Sequence, residues 1–137
     1  MNRMRNTLVC LSLSFVTLCM LSCHKTEGQK PEELAGRTAK AYYDYLIEGK
    51  YEAYTDGFYQ PDSIPSSYRE QLIVNAKQYA AQMKEDHGGL AAVKVAGAKA
   101  DTARHTGHAF LVLCFKDSTK EEIVVPMALV EGNWMMK

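Results

Sequence analysis

The feature that most constrains this chain is the change of hydrophobic period at His87-Gly88-Gly89. Before it, apolar residues recur at spacings of three and four, the period of a helix with one buried face. After it they alternate or run unbroken, as in strands. The chain therefore divides into a helical half, about residues 31 to 88, and a strand half, about residues 90 to 137. Helices followed by strands, with no alternation of the two, predict an α+β fold: N-terminal helices packed on one face of a strongly twisted antiparallel sheet.

Within the helical half, Pro31 suits the first helical position, and Glu32 and Glu33 place negative charge where the helix dipole favours it. Leu34, Thr38, Ala41, Tyr42, Tyr45 and Leu46 fall on one predicted face, and Gly49 ends the run. A short second helix carries Tyr51, Ala53, Tyr54 and Phe58, and Pro61 and Pro65 stop it. Ser67 with Glu70 fits a capping box opening a longer helix, in which Leu72, Ala76, Tyr79, Ala80 and Met83 share a stripe. Gly88 and Gly89 close that helix.

In the strand half, Ala91, Val93 and Val95 alternate, Gly107 to Phe115 form a long apolar run, and Ile123, Val125, Met127 and Leu129 alternate again. Asp117-Ser118-Thr119 and Glu131-Gly132-Asn133 are turns, so the strands they join pair antiparallel. Pro126 cannot donate to a ladder and marks an edge position or a bulge.

The first 22 residues stand apart from this pattern. Arg3 and Arg5 give a positive start, Leu8 to Leu21 form an uncharged apolar run, and Leu21-Ser22 lead into Cys23. The run is short for a membrane span, which needs about 20 apolar residues. The segment resembles a lipobox, with Met20 and Leu21 departing from its commonest residues, and this implies cleavage before Cys23 and acylation of that cysteine. An ordinary cleaved secretory signal and an uncleaved anchor are the alternatives. The expected organisation is thus a signal peptide at 1–22, a lipidated Cys23 with a polar tether to residue 30, and one domain at 31–137.

The signal segment holds two of the 16 basic residues and none of the 16 acidic ones, which leaves the rest with a net charge of −2. Such a balance argues against a nucleic-acid partner. Cys10 and Cys19 lie in the signal, so Cys114 is left alone among Leu111, Val112, Leu113 and Phe115, and reads as a core thiol. A bond between Cys23 and Cys114 is open only if Cys23 carries no lipid.

The mature sequence resembles the nuclear transport factor 2-like (cystatin-like) superfamily, a cone-shaped α+β roll, and more narrowly the small lipoproteins of diderm bacteria that carry a related domain of unknown function. The resemblance rests on Pro31-Glu32-Glu33-Leu34 with Tyr42 and Tyr43, on Gly49-Lys50-Tyr51-Glu52-Ala53, and on Val124-Val125-Pro126 followed by Glu131-Gly132-Asn133-Trp134. It implies a cavity, and the superfamily hosts enzymes, transport adaptors and ligand carriers on this one scaffold.

All eight tyrosines precede residue 80. Phenols such as Tyr42, Tyr45, Tyr54 and Tyr79 either pack the core or line a pocket mouth, where each offers a flat apolar surface and one polar tip. These four, with Trp134 sealing one end of the roll, are the candidate ligand-binding residues. An isomerase-like site would need an acid beside such a tyrosine, and Asp44, Asp56 and Asp101 all fall off the predicted apolar faces. His105 and His108, three apart on a strand, point to opposite faces and would share a metal only across a bulge near Gly107. No metal or cofactor is expected.

The expected protein is a lipid-anchored, non-enzymatic envelope component on the periplasmic face of the outer membrane. It would bind a small apolar ligand or an envelope protein. The alternative is a small isomerase-like or dehydratase-like enzyme using a tyrosine and an acidic residue.

Overall fold

A computed structural model describes residues 28–60 and 63–137. The signal segment and Cys23 lie outside the described residues, as do Pro61 and Asp62. Three helices, α1 (Pro31–Ile47), α2 (Tyr51–Asp56) and α3 (Ser66–His87), precede four strands, β1 (Leu90–Asp101), β2 (Thr106–Phe115), β3 (Lys120–Val130) and β4 (Asn133–Met136). The strands form one antiparallel meander in the order β1-β2-β3-β4, strongly curled, with helices packed against it. The α+β architecture expected from the change of period is the one observed. Among the described residues no helix is long and apolar enough to cross a membrane.

The core lies between α1 and the inner face of the sheet. Ala109, Leu111, Leu113 and Phe115 of β2 and Val125 and Met127 of β3 are buried, each two residues from the next as the pleat requires. Cys114 falls between two of these and is therefore half-exposed on the outer face, paired with Ala92 and Lys120, and not in the core. On β1 the simple alternation of Ala91, Val93 and Val95 fails because the register with β2 slips at Ala91 and again at Ala96. Each slip inserts one residue and exchanges the two faces. Leu90 and Val93 are consequently both buried, and Val95 and Ala98 both face α1.

Helix α1 also sits differently from the expected face. Its buried residues are Ala35, Gly36, Ala39, Tyr43 and Leu46, while Leu34 is 38% exposed and Ala41 is exposed. The helix is turned by about one residue so that its smallest side chains meet the sheet. A Cβ at Gly36 would lie 3.0 Å from Val95 Cγ1 and 3.3 Å from Ala98 Cβ, so glycine there sets how closely helix and sheet approach.

At α3 the carbonyl of Pro65 receives the amides of Tyr68 and Arg69 at 3.0 and 3.1 Å, and no side chain caps the helix. The Ser67/Glu70 capping box does not form, because the helix starts at Ser66 and places Ser67 inside its first turn. The other end matches expectation: Gly88 adopts φ 77°, and the Gly88 and Gly89 amides reach the Lys84 and Met83 carbonyls. Pro126 occupies an edge position, opposite His108 on β2 and just beyond the end of β4, with its carbonyl taking the Lys137 amide at 2.9 Å.

One connection has no counterpart in the sequence pattern. The segment leaving α2 pairs with β4 in parallel: Tyr59 N donates to Met136 O at 2.7 Å, and Met136 N donates to Gly57 O at 2.8 Å. This bridge draws α2 and the following residues against the last strand.

Candidate functional site

Beside the bridge between residues 57–59 and β4, a cleft opens between α2 and α3. The cleft has two adjoining recesses of about 310 and 330 Å³, with Thr55, Phe58, Gln60 and Leu72 common to both. Volumes of this size are those of small-molecule pockets. The first recess adds Tyr54, Asn75, Ala76 and Tyr79.

The rings of Tyr54 and Phe58 on its wall continue an aromatic ladder that begins at Tyr43 in the core. Tyr43 and Tyr54 meet edge to face at 5.6 Å, and Tyr54 meets Phe58 in the same way at 5.3 Å. Burial pushes the Tyr54 phenol up to about 12, and burial with the neighbouring Tyr43 pushes Tyr79 to about 12 as well. Tyr43 is raised further still, by burial first and then by Tyr54 and the Glu121 carboxylate. All three phenols are therefore neutral at physiological pH. They come from α1, α2 and α3, and the exposed Glu121 carboxylate on β3 lies near enough to Tyr43 and Tyr79 to add to their rise.

The polar equipment of the cleft is small. Thr55 is 6% exposed, and its hydroxyl has no hydrogen-bond partner among the described residues, where it is the one buried polar side chain. Asn75 Oδ1 accepts from Gln71 Nε2 at 3.0 Å, on the exposed flank. At the far end of the second recess Arg69 grips Asp56 with two bonds, Nε to Oδ1 at 3.0 Å and Nη2 to Oδ2 at 2.8 Å, so those charges answer each other.

Of the five residues proposed from sequence, the structure brings Tyr54 and Tyr79 together on this cleft. Tyr42 and Tyr45 pack on one another at 6.3 Å elsewhere on α1: the Tyr42 ring covers Gly57, and the Lys50 ammonium lies 5.7 Å from the Tyr45 ring. Trp134 is buried in the core with its ring over Gly107 and does not line the cleft. Thr55, Asn75 and Gln60 are cleft residues that the sequence reading missed.

The histidines are dispersed. His105 sits in the β1–β2 turn at φ 54°, His108 lies opposite Lys99 and Pro126, and His87 contacts Asp117. Among the described residues no group of three metal-ligating side chains converges.

No family model matches the sequence, and no curated protein matches it. A solved structure does: a Campylobacter jejuni protein described as an NTF2-like transpeptidase superposes with a TM-score of 0.59, covering 73% of this chain and 94% of the other. The chain has the nuclear transport factor 2-like fold. The two sequences are 12% identical, so the shared property is the path of the backbone. In this nuclear transport factor 2-like roll the Gly49 to Ala53 segment makes the turn after α1 and the first residues of α2, and Trp134 and Met136 are the residues that β4 buries.

Proposed function

We propose that this protein is a lipid-anchored binding component of the bacterial envelope that holds a small ligand in the cleft between α2 and α3. The observation that carries this reading is the cleft itself, a recess of about 310 Å³ walled by Tyr54, Phe58, Leu72, Ala76 and Tyr79 with Gln60 and Asn75 as polar groups. A largely apolar recess of this size with a few polar groups on its wall is the usual form of a small-molecule site. Among the described residues no Asp, Glu or His is buried, whereas proton-transfer sites commonly hold such a group in an apolar pocket. Acylation at Cys23 would add the anchor, each buried methylene contributing about 0.8 kcal/mol.

The proximity of the Glu121 carboxylate to Tyr43 and Tyr79 favours a second reading, a small enzyme using a tyrosine and an acid. Cys114, the described thiol, stands on the outer face of the sheet away from the cleft.

Native mass spectrometry of the full chain, extracted from a diderm bacterial envelope, tests both parts of the proposal. The expected species starts at an acylated Cys23 and retains a small molecule. An unacylated chain would remove the anchor, and an acylated chain free of added mass would remove the ligand.

A further inference from the structure

We infer that the α2–α3 cleft takes an organic cation, an ammonium head on an alkyl or aryl body, with the body among Tyr54, Phe58, Leu72 and Ala76 and the head at the Tyr79 end, where Glu121 supplies the counter-charge. This rests on the binding reading above and narrows it to a ligand chemistry. The residues lining the first recess carry no formal charge, so the sign preferred there is set by the groups around it.

The position of Glu121 decides that sign. On β3 the inner face is built by Met127, Val125 and Ile123, each two residues from the next, and the same alternation brings Glu121 to that face. Its partner across the ladder is Leu113, which is fully buried, and partners in a ladder share a face. A carboxylate thus stands at the border of the core in the place of an apolar side chain. It makes no ion pair among the described residues. The adjacent Lys120 belongs to the outer face, opposite half-exposed Cys114.

The other charges near the cleft are answered or lie elsewhere. Asp56 and Arg69 hold each other with two hydrogen bonds, and Lys77 lines another recess with Lys50 and Glu52. What remains is one negative charge beside aromatic rings. After burial and the neighbouring phenols, the Glu121 carboxylate adds to the rise of Tyr43 and Tyr79, and both phenols stay neutral. Neutral rings attract a cation to their faces, and a phenol oxygen accepts from an ammonium N–H. An entering carboxylate would lose its hydration and meet Glu121 as a like charge.

The test uses the full chain bearing Cys23→Ser, which removes the acyl acceptor and alters no described residue. It is titrated with hexylammonium, 1-hexanol and hexanoate, one alkyl body with three heads, and followed by amide NMR. Hexylammonium should shift Tyr54, Phe58, Ala76 and Tyr79 and bind at least about fivefold more tightly than hexanoate. Glu121→Gln, a near-isosteric change at an exposed position, should weaken hexylammonium by about two- to fivefold and leave hexanol unchanged. Tyr79→Leu, which keeps an apolar side chain and removes the ring, should weaken hexylammonium by about two- to fivefold.

Hexanoate binding as tightly as hexylammonium, hexylammonium affinity unchanged in Glu121→Gln or in Tyr79→Leu, or shifts that map away from the cleft would each overturn the inference. An anionic or uncharged molecule retained in the mass spectrum would overturn the inference and leave the binding reading standing. Absence of retained mass, together with no shift in the cleft from any of the three probes, would remove the two together.

Discussion

At position 107 the chain has room for a hydrogen and little more. A Cβ there would lie 2.9 Å from the Lys99 carbonyl oxygen and 3.0 Å from Trp134 Cζ3, one obstacle being backbone and the other a ring buried to 3% exposure. Gly57 is tight in a different way: a Cβ would press into the Tyr42 ring, 2.6 Å from its Cε1 atom, but Tyr42 is half-exposed and can swing aside. Gly107→Ala should therefore destabilise by about 1–3 kcal/mol through overpacking, and Gly57→Ala by less. Urea denaturation would show this as two lowered midpoints in that order with unchanged slopes. The reverse order would mean that the Trp134 ring yields more readily than its burial implies. Neither constraint was visible in the sequence, where Gly107 looked like the first residue of an apolar strand or the site of a bulge. Its need for glycine comes from a tryptophan 27 positions later.

At the scale of elements, the end of α3 is fastened to the β2–β3 turn by a cluster of short contacts. His87 Nδ1 donates to Asp117 Oδ2 at 2.9 Å, the His87 ring stacks on Phe115 at 4.3 Å, and Asp117 N donates to the His87 carbonyl at 3.1 Å. Thr119 gives Asp117 both its hydroxyl, at 2.5 Å, and its amide, at 2.9 Å. These Thr119 bonds, and then His87, hold the Asp117 carboxyl down to about 2 from its ordinary 3.8. A lowered carboxylate contributes stability that is present above the unfolded value and is lost as pH falls through the folded one. Asp117→Asn should flatten the stability profile between about pH 4 and 2 relative to the parent chain and leave its shape near neutrality unchanged. Parallel denaturation series at several pH values would read the difference, and identical slopes in the acid range would mean that the carboxylate is not held by this cluster. The turn and the helix stop were both legible as sequence. Their attachment to one another was not, since it joins residues 30 positions apart.

Across the whole molecule the packing is uneven. Helix α1 lies against all four strands, while α3 rests mainly on α2 with lighter contact to α1 and β1. Over its 22 residues α3 buries Ile73, Ala76 and Met83, and it leaves Val74 and Tyr79 exposed. Local opening follows such differences in buried apolar contact. Hydrogen exchange should accordingly protect the amides of Leu111, Leu113 and Met127 most strongly and those in the middle of α3 less. The single tryptophan, Trp134, sits with the protected group, so its fluorescence should report global unfolding after α3 amides have begun to exchange. Equal protection of α3 and β2 would show one cooperative unit with no looser layer. The cleft opens on α3, the element whose movement would cost least, so a ligand seated there should raise α3 protection above that of the free protein.

What the sequence determined by itself was local. The change of period at His87-Gly88-Gly89 set three helices before an antiparallel meander, glycine closed α3, and the alternation of Ile123, Val125, Met127 and Leu129 placed β3 on the core. These depend on neighbours within a turn or a strand, and the pattern records them directly. The tertiary structure decided which face of α1 is buried, because close approach to a sheet rewards Ala35, Gly36 and Ala39 over the larger residues that periodicity follows. It decided that two bulges reverse β1, and that a parallel bridge joins the segment after α2 to β4. The cleft likewise depends on packing between elements, since α2, α3 and residues Val130 and Met135 of the last two strands wall it together.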